Sequence, residues 1–214
     1  RVLDLEQRLH SELLEKLNLR VTAQRTGADA QHVKLIQSNL SGIIDEHLGQ
    51  VDKEMARYLV VEFLWRQTVT ELARRATGKL MYSYGFEESE NLVSQYEDVV
   101  SRIIGDVLGA FPLRLRPHSV KADMSMVEEG WSEALQRVKD RITPELSRYI
   151  VRRMLSKEIQ DVVLGYGPLQ DLLEMPNINE IMVVGRDRIY IEKDGVVQNT
   201  ARSFFSDDIL QSII

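Results

Sequence analysis

The stretch Leu164-Gly165-Tyr166-Gly167-Pro168-Leu169-Gln170-Asp171-Leu172-Leu173 is where this chain changes character. Before it, apolar residues recur at helical spacing; after it they crowd into short runs with strand-like alternation. Gly165 and Gly167 permit backbone geometry barred to residues with a side chain, and Pro168 fixes the turn before a short helix. Leu169, Leu172 and Leu173 are expected to dock that helix onto a sheet formed by residues 181–202.

Downstream, Ile181-Met182-Val183-Val184 is an apolar run closed by Gly185. Arg188-Ile189-Tyr190-Ile191-Glu192 alternates, with Ile189 and Ile191 on one face. Lys193-Asp194-Gly195 carries the Asp-Gly pair that suits a two-residue hairpin, and a return strand is predicted from Val196-Val197 to about Arg202. Ser206-Asp207-Asp208 then supplies a hydroxyl cap and two acids for a helix start. That helix has room for barely two turns before Ile214, so the expectation is a fold cut within an element.

Upstream, the prolines stand at 112, 117, 144, 168 and 176, leaving the first 111 residues without one. Because proline costs about 3 kcal/mol inside a helix, this predicts a long helical region. Leu5, Leu9, Leu13, Leu14 and Leu17 mark a helix that Asn18 would end. Val33, Ile36, Leu40, Ile43, Ile44 and Leu48 mark another, with Gly49 just past it. Met55, Leu59, Val60, Phe63, Leu64, Val69, Leu72, Ala73 and Ala76 form a third face, and Leu92, Tyr96, Val99, Val100, Ile103, Ile104, Val107 and Leu108 a fourth. Residues 112–126, with two prolines and the alternation Leu113-Arg114-Leu115-Arg116, read as a linker or irregular crossing. Trp131, Ala134, Leu135, Val138 and Ile142 resume a helical face, and Thr143-Pro144-Glu145 opens a last long helix that stops at Gly165.

The 214 residues carry 27 Lys+Arg against 33 Asp+Glu, a net charge of −6, and 43% are hydrophobic. That is enough apolar material for a core, which excludes wholesale disorder. With no cysteine, a disulfide scaffold, a thiolate metal site and a cysteine nucleophile are all excluded. A net acidic chain is poorly suited to neutralising phosphates, so nucleic acid is not an expected partner. No run approaches the ~18 uncharged residues of a membrane span, and the N-terminus carries no secretory pattern, so a cytoplasmic location is expected.

A phosphate-binding loop needs a Lys followed by Ser or Thr, and none of the eight lysines is so followed; Thr77-Gly78-Lys79 runs into Leu80. His10, His32, His47 and His118 lack ligand spacing and read as surface or packing residues. Trp65 and Trp131 read as core anchors, Glu87-Glu88 as helix-start charges, and Arg74-Arg75 and Arg152-Arg153 as solvated faces. No catalytic, cofactor-binding or metal-ligating residue is expected in the chain.

The run 164–173 is followed in order by three further segments: Ile178-Asn179-Glu180-Ile181-Met182-Val183-Val184-Gly185, Ile189-Tyr190-Ile191-Glu192-Lys193-Asp194-Gly195 and Phe205-Ser206-Asp207-Asp208. Together they resemble the amino-terminal domain of the type II/type IV secretion ATPases, especially the tight-adherence and Flp-pilus assembly branch. Arg8-Leu9-His10-Ser11-Glu12-Leu13-Leu14-Glu15-Lys16-Leu17-Asn18-Leu19 is similar to that branch's leading helix. Val184 stands where the family usually has asparagine, and residues from about 20 to 140 carry more helix than the family pattern leads one to expect.

The resemblance implies that residues 167–214 begin a PAS-like α/β domain stacked on a RecA-like motor. The motor's ATP and Mg site would lie downstream, so the family's catalytic residues fall on nothing here. It further implies a homohexameric parent whose partners are its own motor domain, sister subunits and an inner-membrane platform protein. The place implied is cytoplasmic, peripheral at the inner membrane through those partners. The residues that match the family's structural motif are Gly165, Gly167, Pro168, Leu169, Leu172, Leu173, Glu180, Gly185 and Gly195. Arg186, Arg188 and Glu192, near the hairpin, are the candidates for inter-domain or inter-subunit contacts.

The expected architecture is mainly α, a helical bundle followed by the truncated start of a small PAS-like α/β domain. It divides into a helical region 1–111, the crossing 112–126, a helical hairpin 127–166 and the α/β start 167–214. A stand-alone helical adaptor without ATPase activity is the alternative. A PAS-like small-molecule sensor comes third, because residues 170–214 supply too few strands to enclose a ligand.

Overall fold

The helical spacing of the sequence is realised as helices. The computed structural model describes residues 1–17, 30–78 and 90–214, less the side chains of 30–33 and 90–94, and over these the chain is mainly helical with one small sheet near its C-terminus. The helices are α1 (Val2–Lys16), α2 (Ala30–His47), α3 (Lys53–Thr77), α4 (Glu90–Gly109), α5 (Val120–Val138), α6 (Pro144–Leu164), α7 (Gln170–Glu174) and α8 (Asp207–Ile213). The strands are β1 (Glu180–Gly185), β2 (Arg188–Lys193) and β3 (Val196–Asn199). Asn18, Leu19, Lys79, Leu80 and Glu87-Glu88 lie outside the described residues, as do the side chains of His32, Val33 and Leu92.

Two compact units are built, and neither is continuous in sequence. The first comprises Arg1–Ala56, Arg152–Leu173 and Ile178–Ile214; the second comprises Arg57–Val151 and Glu174–Asn177.

In the first unit, Leu5, Leu9 and Leu13 of α1 and Ile36, Leu40, Ile43 and Ile44 of α2 are completely buried, as a continuous apolar stripe on each helix requires. Polar contacts set the pairing of these helices: His47 Nε2 meets Glu12 Oε2 at 2.8 Å, a bond that holds the Glu12 carboxyl below its ordinary range. Arg152 on α6 forks onto Asp45 of α2 at 2.9 and 3.0 Å, so this arginine is engaged across elements and not merely solvated. The sheet is antiparallel throughout, in the order β1-β2-β3, with Ile181 opposite Ile191 and Val183 opposite Ile189. Asp194 and Gly195 both take positive φ, 52° and 79°, the geometry of a two-residue hairpin whose twist matches the strands. The return strand ends earlier than expected, at Asn199. There Asn199 Oδ1 accepts from Ala201 N at 2.7 Å while Ala201 turns to φ 55°, which breaks the ladder. Ser206 caps α8 as its sequence predicts, its hydroxyl accepting from Ile209 N at 3.2 Å.

In the second unit, Leu59, Val60, Phe63, Leu64, Val69, Leu72, Ala73 and Ala76 of α3 are buried, together with Val100, Ile103, Ile104, Val107 and Leu108 of α4. Trp65 and Trp131 meet edge to face with ring centroids 5.2 Å apart, and Tyr96 stacks on Tyr149 at 5.1 Å. Thr143 caps α6 through a 3.2 Å bond from Leu146 N. The irregular crossing is narrower than 112–126, because α5 already begins at Val120. Asp123 explains the difference: from the first turn of α5 its carboxylate reaches back to accept from Arg114 N (3.1 Å), Leu115 N (2.9 Å) and Ser119 Oγ (2.9 Å). Burial alone would raise this carboxyl, but the backbone donors and the hydroxyl outweigh it and hold it below its usual range.

Among the described residues, no helix is long and apolar enough to cross a membrane.

Candidate functional site

The glycine-rich stretch that divides the sequence also organises the site. After Leu164 the chain leaves α6 with Gly165 N donating to Asp161 O at 3.0 Å. A Cβ on Gly165 would lie 2.6 Å from Gln170 Oε1, whose side chain would have to shift, and 3.1 Å from the Asp161 carbonyl. Gly167 takes φ 56°, and a Cβ there would press on Ile213 Cδ1 at 3.2 Å. The 3-10 turn Gly167–Leu169 follows and leads directly into α7. Pro168, Leu169 and Leu172 are buried, but Leu173 is 56% exposed, against the expectation that all three leucines dock. Leu169 belongs to the 3-10 turn and only Leu172 and Leu173 to α7, and of these two Leu172 faces inward.

Beside this turn lies a group of charges removed from water. Lys157 and Asp161 of α6 and Asp171 of α7 are each under a tenth exposed. Lys157 Nζ bonds Asp161 Oδ2 and sits 2.8 Å from Asp171 Oδ1. Arg202, just after β3, donates to the Pro168 carbonyl at 2.9 Å and reaches Asp171 Oδ2 at 3.5 Å. Two carboxylates thus face one ammonium and one guanidinium, and the four groups tie α6, the glycine turn, α7 and the chain after β3 together. Buried charges are tolerated only when paired in this way. Burial is the largest influence on Asp161 and, reinforced by Asp171 and Glu158, it outweighs Lys157 and raises the carboxyl to about 7.

A second buried ionisable group stands in the same unit. His10 of α1 packs edge-on against Phe205, with ring centroids 5.6 Å apart, and its Nε2 has no hydrogen-bond partner. Burial lowers its pKa to about 4, so the ring is neutral at ordinary pH. This is the packing role that an isolated helical histidine suggests, and it does not make His10 a ligand.

The remaining residues singled out in the sequence take up varied positions. Glu180 and Gly185 begin and end β1, and Gly195 completes the hairpin turn. Arg186 and Arg188 are exposed in and after the β1–β2 turn; the Arg186 carbonyl accepts from Phe204 N at 2.8 Å, and the Arg188 guanidinium lies over Gly185. Glu192 is half-buried and sits opposite Glu180, a like-charge pairing eased by Asn179, whose Nδ2 donates to Glu192 Oε1 at 3.1 Å. Val184, Val196 and Val197 of the sheet are exposed, as is Tyr166 in the turn.

Sequence reading missed Lys157, Asp161, Asp171 and Arg202. One signal was present: Lys157 and Asp161 lie i, i+4 within a helical stretch whose neighbours Met154, Leu155, Ile159, Val162 and Val163 leave little of the helix for solvent. A helix apolar on most sides is buried on most sides, so charges inside it must find partners there. The identity of those partners, some ten and forty residues further on, had no local signature. Among the described residues, no three His, Asp or Glu side chains converge as a metal site would. Comparison with protein-family models, curated proteins and solved structures finds no match to this chain.

Proposed function

We propose that this chain is the amino-terminal, non-catalytic part of a secretion or pilus-assembly ATPase, serving assembly, partner docking and coupling to a RecA-like motor. The observation that carries the reading is the ordered run of motifs over residues 164–208. Its segments also behave as structural units: a glycine turn closing a long helix, an Asp-Gly hairpin and a serine-capped helix. In this reading the three-stranded sheet opens a PAS-like domain, ATP and Mg belong to the motor, and the exposed Arg186 and Arg188 make polar contacts to motor or sister subunits. Such a chain works in the cytoplasm, at the inner membrane through a platform protein.

The test begins with the coding sequence beyond codon 214. A downstream Gly-x-x-x-x-Gly-Lys-[Ser/Thr] is expected, and in the intact parent Arg186→Glu with Arg188→Glu should lower ATPase activity and hexamer assembly. A stop within a few dozen codons overturns the motor reading, whereas unchanged activity in the charge-reversed parent overturns only the contact assignment. A non-hydrolysing helical adaptor is the second reading, favoured by the long helical portion that precedes the motif run. The early stop codon is its expected result.

A further inference from the structure

Within the buried charge cluster the cations are unevenly shared. Asp171 has two, Lys157 at 2.8 Å and Arg202 at 3.5 Å. Asp161 has only a share of Lys157, while Glu158 on its own helix and Asp171 from α7 act on it as like charges. These are the charged groups that bear on Asp161 from the elements around it: Lys157 and Glu158 of α6, Asp171 of α7 and, through Asp171, Arg202 after β3. Asp161 is therefore the member whose negative charge is least supported. Its own carbonyl accepts from Gly165 N at 3.0 Å, where α6 ends.

We propose that the cluster is a proton-controlled latch: Asp161 takes a proton from solvent, Lys157 passes wholly to Asp171, and α7 with the Arg202 segment is drawn more firmly onto α6. Loss of that proton divides one ammonium between two buried carboxylates and loosens the same elements. Only an O–H bond is made or broken. The pKa of Asp161, raised to about 7, puts the change near neutrality. The inference stands on the cluster's geometry and is independent of the secretion reading.

The experiment is a carboxyl 13C NMR titration of the intact chain, paired with amide exchange of α7 and Arg202 from pH 6 to pH 8. Amides of α5, in the other unit, serve as the reference for intrinsic base catalysis. The Asp161 carboxyl is expected to titrate near neutrality, with protection of α7 several-fold higher at pH 6 than at pH 8 after that correction. Asp161→Asn should fix protection at its low-pH value and abolish the pH dependence. If that variant does not fold, the titration of the unaltered chain decides alone. An Asp161 carboxyl titrating in the ordinary aspartate range near ~4, or corrected protection of α7 that ignores pH, overturns the latch.

Discussion

The two compact units bury charge in different ways. In the second, the buried Arg66 bonds the half-buried Glu62 along its own helix at 2.7 Å, and the buried acid Asp123 is satisfied by neutral donors from one nearby loop. In the first, Lys157, Asp161, Asp171 and Arg202 join α6, α7 and the chain after β3, Arg202 lying 31 residues beyond Asp171. A carboxylate held by backbone N–H groups needs no counter-charge, so its loss costs little beyond a few hydrogen bonds. In a buried ionic network the loss of a cation strands carboxylates without water. The comparison teaches that sensitivity to a single substitution, and to protons, is concentrated in the first unit.

The largest expected effect tests that claim directly. Lys157→Met leaves two buried carboxylates without their shared cation and should destabilise the first unit by about 3–5 kcal/mol. Because Trp65 and Trp131 both lie in the second unit, tryptophan fluorescence during urea unfolding reports on that unit, while amide exchange over Arg152–Leu173 reports on the first. If both signals move together, the units share one cooperative transition and the contrast breaks. A smaller effect is expected from Asp123→Ala, which leaves the Arg114 and Leu115 N–H groups unsatisfied at a cost of about 1–3 kcal/mol. Here the fluorescence midpoint should fall first. The smallest is a pH effect. His10 is held neutral in the fold, so the unfolded chain binds its proton more readily between pH 6.5 and about 4, and acidification destabilises. His10→Leu should therefore gain about 1–2 kcal/mol at pH 5 relative to its effect at pH 7.5, read from urea midpoints at the two pH values. An equal effect at both would place His10 outside the acid sensitivity of the first unit.

Much of the fold was legible because it is local. Helical faces on α1 to α6, the Thr143 and Ser206 caps and the Asp194-Gly195 hairpin all follow from residues within a few positions of one another. The start of α5 was hidden because its Asp123 turns back to serve the preceding loop. Leu173 misled because the spacing of Leu169, Leu172 and Leu173 suits one helical face, whereas Leu169 lies in a 3-10 turn ahead of α7 and Leu173 is exposed. In the candidate site, the glycines and Pro168 were readable from their type, but the charge cluster was not. Its members are ordinary exposed residues by composition, and only tertiary contact turns Asp171 and Arg202 into partners of Lys157.

The buried imidazole of His10 and the buried carboxyl of Asp161 have a joint consequence. Folding refuses a proton at His10 between about pH 4 and 6.5, and gains affinity for one at Asp161 between about pH 4 and 7. As pH rises through this range the first contribution adds stability and the second removes it. At these two groups proton release and proton uptake oppose each other, so the first unit holds two opposed titrations inside it. Either group altered alone would unmask the slope of the other.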